Sequence, residues 1–430
     1  MAEREPEERA DNVSISIAKK LANFYHPSSE CCIFRMYDNL RRQNEKAYEP
    51  SIVAIGPYHR GKAKLQQMEE HKLWYLQQLL NREKKKSVND YIMAIKELEE
   101  RARNCYAETI RIKSDEFVEM MLLDSFFIIG LFRKFKEVEL ADENDHIFQS
   151  QQIQDALRRD LILLENQLPF FILVRLFNMT KTDLDLQIIQ IALTFLQFNA
   201  PDQKLEAPRG ISINNIKHLL HLVHSCWCFK FSEMNRNATE KQLEFINSAT
   251  ELQESGIQFK KAEERNLFDI KFISGILEIP FLSIEAEVGE SFFTNLVAFE
   301  VCPSYHSPKY VCDYAVFMNC LINSSEDVRL LRHSGIIESW VGDDAELYSM
   351  WHKLFNVTLT DTKKFSYSQV FNDVNNHCKR RRNMWMANLK RNYFNSPWAL
   401  ISILAATILL LLTMAQTIFS ILSFGKGSFN

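Results

Sequence analysis

Phe117–Phe132 reads FVEMMLLDSFFIIGLF, and its reading decides the fold. Only Glu119 and Asp124 interrupt the apolar run. As a helix these residues rise about 24 Å, short of the roughly 30 Å hydrocarbon core of a bilayer. A helix this apolar on every face and this short belongs at the centre of a helical domain. The expectation is a core helix over Ser114–Phe135. Asp124 inside it must pair or take up a proton, because an isolated buried carboxylate is costly.

The neighbouring segments extend the same pattern. Upstream, Leu65, Met68, Lys72, Tyr75, Leu76, Leu79 and Leu80 make an amphipathic helix that ends in the charged run Arg82–Lys86. Before it, Pro50 and Gly56-Pro57 break any helix, so Ser51–Tyr58 is extended or a turn. Val88–Thr109 reads as one helix. Ile153–Leu176 reads as a second buried helix, kinked or broken at Pro169, with Glu165, Asn166 and Gln167 inside LILLENQLPFF. Arg133, Arg158 and Arg159 are the candidate partners for the two buried acids. Residues 136–148 and 199–210 are connectors, and 230–248 form an exposed loop. Alternation at Ile257–Lys260 and Phe268–Phe272, with Ile279-Pro280, reads as short strands in a small hairpin or ribbon. Helices return at Ser291–Phe299, Tyr310–Ile322, Ser325–His333, Asp344–Phe355 and Phe365–Leu389. The fold class is mainly α, a large helical domain with a small β-ribbon insertion.

The C-terminal end carries a different expectation. Pro397–Phe424 holds no Asp, Glu, Lys, Arg or His, which predicts one transmembrane helix. Pro397, Trp398, Leu409, Leu410, Leu411, Leu412 and Phe424 would form the anchor. Lys379, Arg380, Arg381, Arg382, Lys390 and Arg391 would form a basic juxtamembrane segment. The expected layout is a disordered 1–13, a helical domain 14–378, the basic segment 379–396, the span 397–424 and a short tail 425–430. The lipid bilayer and an unidentified protein are the expected partners. The expected location is a single-pass membrane protein, the plasma membrane favoured over the endoplasmic reticulum, with the main domain cytosolic. Thr413 and Thr417 belong to a mildly polar stripe whose hydroxyls are expected to bond back to their own helix.

Composition narrows the function classes. The 430-residue chain is 46% hydrophobic and 25% charged, which suits a folded protein. Residues 379–430 hold seven Lys or Arg and no acid, leaving 1–378 at a net charge of -11. An acidic globular part argues against nucleic-acid binding, which needs clustered cations. The start shows no secretory leader. Nine scattered cysteines read as reduced thiols.

Candidate chemistry is sparse. Asp124, Glu165 and His59 are the candidate catalytic residues, set against a structural network of buried acids. Gly56-Pro57-Tyr58-His59 would present Tyr58 and His59 from a rigid turn; the plainer reading is a turn locked by those two side chains, with Glu70 and Lys72 solvated. His218, His221 and His224 with Cys226 and Cys228 have metal-ligand residue types, but no second cysteine pair completes a four-ligand site, so no metal and no cofactor is expected. No Walker loop, GxSxG, HExxH, kinase set or GxGxxG is present. Enzyme activity is left open, leaning against.

Several blocks together resemble the plant family known as domain of unknown function 247. They are Gly56-Pro57-Tyr58-His59, Met68–Lys72, LLDSFFI at Leu122–Ile128, RDLILLENQLPFF at Arg159–Phe171 and ATELQESGIQFK at Ala249–Lys260. IKFISGILEIP at Ile270–Pro280, NLVAFEVC at Asn295–Cys302, LINSSEDVRLLRHSGII at Leu321–Ile337 and MWMANLKR at Met384–Arg391 continue it. Arg35–Asp38 lacks the proline-containing text of the pattern, and Ala54 and Phe281 also depart from it. The resemblance implies a mostly helical, membrane-anchored plant protein without an assigned activity. Some grass members are implicated in pollen self-incompatibility, which implies recognition. The functional expectation is an anchored recognition or signalling protein; the alternative is a membrane-tethered enzyme acting on an apolar small molecule.

Overall fold

The computed structural model describes residues 12–22, 29–82, 86–137, 145–180, 187–197, 207, 211–234, 244–263, 266–284, 286–303, 305, 308–339, 343–357, 364–379 and 397–427. The chain divides into two compact units. Unit 1 is Met1–Phe198, Leu205–Cys226 and Thr294–His306; unit 2 is Asn199–Lys204, Trp227–Phe293 and Ser307–Asn430.

Unit 1 carries helices α1 (Asn12–Ala22), α2 (Asp38–Arg41), α3 (Gln66–Arg82), α4 (Val88–Lys96), α5 (Glu99–Arg103) and α6 (Ser114–Lys136). After them come α7 (His146–Gln149), α8 (Gln151–Asp160), α9 (Phe170–Met179) and α10 (Ile188–Leu196), then the start of α11 (Leu219–Met234). The expected core helix is α6, which packs against α3, α4, α9 and α10. Phe117, Met121, Phe126, Phe127, Ile128, Ile129, Leu131 and Phe132 are all fully buried on it. Gly130 permits the closest approach: a Cβ there would stand 2.6 Å from the Tyr75 ring of α3. Tyr75 in turn donates to Asp145 at 2.9 Å, and Lys134 pairs with the same carboxylate at 2.7 Å.

One expected helix is divided, and a second is interrupted at its expected break. Val88–Thr109 becomes α4 and α5. Ile153–Leu176 becomes α8 and α9, joined by a non-helical Leu161–Pro169. The reason lies in the polar side chains of that joint. Asn166 Nδ2 donates to Asp160 O at 2.9 Å, and Gln167 Nε2 donates to Leu161 O and Leu163 O at 2.8 Å each. These amides take carbonyls that a continuing helix would have bonded through its backbone. Pro169 then supplies the fixed φ from which α9 starts.

Unit 2 takes the second half of α11 and then α12 (Ala249–Glu254), capped by Ser248 and Glu251 in a capping box. The expected ribbon is a mixed three-stranded sheet of β1 (Gln258–Ala262), β2 (Lys271–Ile273) and β3 (Ile276–Pro280), in the order β1-β3-β2. β2 and β3 form the hairpin, turned through Ser274 and Gly275, both at positive φ; β1 adds to β3 in parallel. β4 (Leu282–Ile284) pairs in parallel with β5 (Ile337–Ser339). Helices α13 (Ala286–Val301), α14 (Tyr310–Leu321), α15 (Ser325–His333), α16 (Asp344–Val357) and α17 (Ser368–Lys379) complete the order before the last, α18 (Pro397–Gly427); the second half of α13 belongs to unit 1. Asp327 ties two caps together, accepting from Thr250 N at 2.8 Å and from Ser324 Oγ at 2.8 Å.

The C-terminal expectation is corrected. Among the described residues no helix is long and apolar enough to cross a membrane. The expected transmembrane helix over 397–424 and the expected single-pass membrane location are overturned by that finding. Leu409, Leu410, Leu411 and Leu412 are exposed on α18. Pro397, Trp398 and Phe424 belong to the same helix, and their side chains lie outside the described residues. Thr413 and Thr417 do bond back, to Leu409 O at 2.7 Å and Thr413 O at 2.8 Å. Of the basic segment, Lys379 pairs with Glu244 at 2.8 Å. Arg380, Arg381, Arg382, Lys390 and Arg391 lie outside the described residues, as do residues 1–11.

Candidate functional site

The polar residues of unit 1 converge on the irregular segment Ser51–His59. Because it forms neither helix nor strand, its backbone groups need side-chain partners, and four buried residues supply them. Asp160, at the end of α8, accepts from Ser51 N at 2.9 Å, Ile52 N at 2.8 Å and Val53 N at 3.1 Å. Asn166 accepts from Ile55 N at 2.7 Å and donates to Val53 O at 3.1 Å. Asp124 accepts from Gly56 N at 2.7 Å. Lys72 donates to Ala54 O at 2.6 Å.

Lys72 and Asp124 are the charged centre of this arrangement. The Lys72 ammonium is 2% exposed and lies 2.6 Å from each of Asp124 Oδ1 and Glu69 Oε1. Burial works against its charge, but Asp124 and Glu69 outweigh it and hold Lys72 above the ordinary lysine range. The expected arginine partners are elsewhere. Arg133 donates to Thr180, Arg158 to Phe195 O, and Arg159 to the backbone of Lys46 and Glu49. The view of Lys72 as solvated is therefore corrected. Its place among Met68, Tyr75 and Leu79, one face of α3, was the signal in the sequence.

Gly56 closes the segment. Its φ is +69°, and a Cβ there would meet Gln167 O at 2.5 Å and Tyr106 Oη at 3.0 Å. Gly56→Ala is expected to lower stability by at least about 2 kcal/mol, combining left-handed strain with a backbone clash. Chemical denaturation of the variant checks this.

His59 and Glu165 come together, His59 Nε2 lying 3.6 Å from Glu165 Oε2. Glu165 Oε1 accepts from Met36 N at 3.0 Å and lies 3.7 Å from Arg41 Nε. His59 is 2% exposed and Glu165 1%. Burial, reinforced by Lys62, lowers His59 to about 3, so its imidazole is neutral. Burial raises Glu165, against the Met36 N–H and Arg41. Beside them Glu49 takes Arg41, Lys62 and Lys64; burial opposes its charge, but Lys62 and Arg41 prevail and lower it to about 2. Among the described residues, both nitrogens of His59, Glu165 Oε2, Arg41 Nε and Tyr48 Oη make no hydrogen bond.

His218, just before α11, and the α11 histidines His221 and His224 face different partners. His218 Nδ1 accepts from His221 N and His221 Nδ1 from Lys217 N, each at 3.2 Å, while His224 Nε2 meets Glu300 Oε1 at 2.7 Å. Cys226 and Cys228 are buried. Burial lowers His221 to about 3 and puts His218 well below the ordinary range. Unfolded, all three of His59, His218 and His221 titrate near about 6.5. Below that pH the unfolded chain binds more protons than the folded one, so their contribution is complete above it and is lost progressively as pH falls below it. Between pH 7 and 5.5 the expected loss is about 1 kcal/mol for each histidine. Urea midpoints across that range check it; a flat midpoint would contradict neutral folded histidines.

Beside this network unit 1 has an open groove of about 550 Å³. Phe34–Asp38 form one wall, Ala107 and Glu108 another, and Ala298, Val301, Cys302 and Pro303 the third. Asp124, Glu165 and His59 are not among its lining residues. Arg35 lies 3.5 Å from Glu108 and 4.8 Å over the Tyr58 ring.

The family described as "Plant protein of unknown function", DUF247, matches residues 33–412. The chain belongs to this family. Among its relatives is the UPF0481 protein At3g47200 of Arabidopsis thaliana, 32% identical across 92% of this chain and 87% of the relative. The putative UPF0481 protein At3g02645 of the same plant is 23% identical, across 94% and 93%. No solved structure matches. The blocks that carried the resemblance now have physical roles: Asn166 bonds the backbone of Val53 and Ile55, Gly56 fits against Gln167 O, Glu165 holds Met36 N, and Ser248, Glu251 and Asp327 serve helix caps.

Proposed function

We propose that this chain is a protein-recognition module whose binding surface is the groove of unit 1. What supports the reading is the division of roles around that groove. Asp124, Asp160, Asn166 and Gln167 each hold backbone inside the core, whereas the groove has an apolar floor of Met36, Ala298, Val301 and Cys302 and an exposed rim of Arg35, Asp38 and Glu108. An apolar centre with a charged rim is the anatomy of a protein interface. The enzyme alternative needs an acid or base that reaches a substrate, and the candidate acids do not line the groove.

Val301→Arg, which places a charge on the half-buried groove wall, tests this. Proximity labelling in plant tissue with wild type and variant is expected to lose a defined set of partners, while the circular-dichroism spectrum and melting temperature stay unchanged. Identical partner sets would overturn the reading. So would a metabolite consumed by wild type and not by a folded Glu165→Gln variant.

A further inference from the structure

We propose that the groove takes an extended peptide, which adds its main chain alongside Phe34–Arg35, seats an apolar side chain on the floor and places a basic residue near Asp38. The proposal rests on the recognition reading and names its ligand class.

The groove opens where a strand pairing stops. Ile33 and Tyr106 form a parallel bridge, with Ile33 N donating to Cys105 O and Ala107 N donating to Ile33 O, each at 2.9 Å. Beyond it the pairing ends. The N–H and C=O groups of Phe34 and Arg35 make no hydrogen bond among the described residues. Both residues line the groove. Free main-chain groups beside an apolar trough are what strand addition uses, the main chain giving affinity and the trough giving side-chain selectivity.

The edge is held in place before any peptide arrives. Ile33 is fixed by the bridge and by Tyr58 Oη donating to its carbonyl at 3.2 Å. Met36 N is turned inward to Glu165 Oε1 at 3.0 Å, and α2 begins two residues later. Phe34–Arg35 is thus anchored at both ends, so little ordering is left for binding to supply. Glu165 acts here as a positioning residue for the groove wall.

Charge decides what flanks the apolar side chain. The Arg35 guanidinium is engaged by Glu108, by Tyr58 O at 3.3 Å and by the Tyr58 ring. Asp38 is exposed and has no ion-pair partner among the described residues. With Asp38 and Glu108 against one arginine, the rim is net acidic. An acidic or phosphorylated peptide is therefore disfavoured and a basic one favoured.

The test uses the full chain and a panel of acetylated five-residue peptides. Each carries lysine at one end and valine, leucine, isoleucine, phenylalanine or methionine at the centre. Matched versions are N-methylated at the central residue, or carry glutamate for lysine or aspartate at the centre. Fluorescence anisotropy is expected to show binding of at least one lysine peptide, weakened tenfold or more by N-methylation and by the central aspartate. Asp38→Lys should reverse the preference toward the glutamate version, and Val301→Arg should abolish binding. Equal affinity of the N-methylated peptide would overturn main-chain addition. If no peptide binds while Val301→Arg still removes partners, the peptide proposal fails and the recognition reading stands. If Val301→Arg also leaves the partners unchanged, both fail.

Discussion

Lys72→Met is expected to destabilise the protein by about 3–5 kcal/mol, because it leaves the fully buried Asp124 carboxylate without its cation. The methionine fills similar space, so the loss is electrostatic and not a cavity effect. Among the described residues Asp124 would retain only the Gly56 N–H at 2.7 Å, and Ala54 O would lose its donor. Replacing both ends of the pair, as Lys72→Met with Asp124→Leu, is expected to recover more than half the loss, since apolar substitutes for a buried ion pair are often neutral. Guanidinium denaturation of the two variants decides it. A single-variant loss below about 1 kcal/mol would show that the pair is not charged in the fold.

Asp160→Ala should have an effect of similar size, for a different reason. One carboxylate there accepts the N–H groups of Ser51, Ile52 and Val53 together with Ser51 Oγ, and it touches the Arg159 guanidinium at 2.9 Å. Removing it leaves three partly or fully buried donors without a partner, worth about 3–6 kcal/mol together. Asp160→Asn keeps one acceptor oxygen and is expected to lose about half as much. Hydrogen exchange gives the local readout: the Ser51, Ile52 and Val53 amides should exchange faster in the alanine variant than elsewhere in unit 1. Uniform acceleration across the unit would mean that Asp160 supports the fold generally and not this segment.

These two residues also show where sequence reasoning reached and where it stopped. Asp124 and Glu165 stood out because a carboxylate inside an apolar run demands a partner. The partner itself was not readable. Lys72 lies 52 positions from Asp124, and nothing local distinguishes it from Arg133, nine residues away and on the same helix as Asp124. Asp160 carries no such signal, since it sits beside Arg158 and Arg159 at the edge of the apolar run. For Ile153–Leu176 the break at Pro169 was legible, but helical apolar spacing continues through LILL, and the earlier end of α8 at Asp160 follows from the turn of Asn166 and Gln167 back onto earlier carbonyls. At the C-terminus, apolar composition predicted a membrane span, and among the described residues no helix is long and apolar enough to provide one.

The sequence by itself determined the helical class, the all-round apolar α6, the break at Ser51–Tyr58 and the family, since each follows from local composition and spacing. Tertiary structure alone decided which buried charges pair, why the 51–56 segment is rigid, and where the groove opens. The physical reason is range. Periodicity and caps act over a few residues, whereas a buried charge or an unpaired N–H is satisfied by whichever group the packed chain brings within about 3 Å.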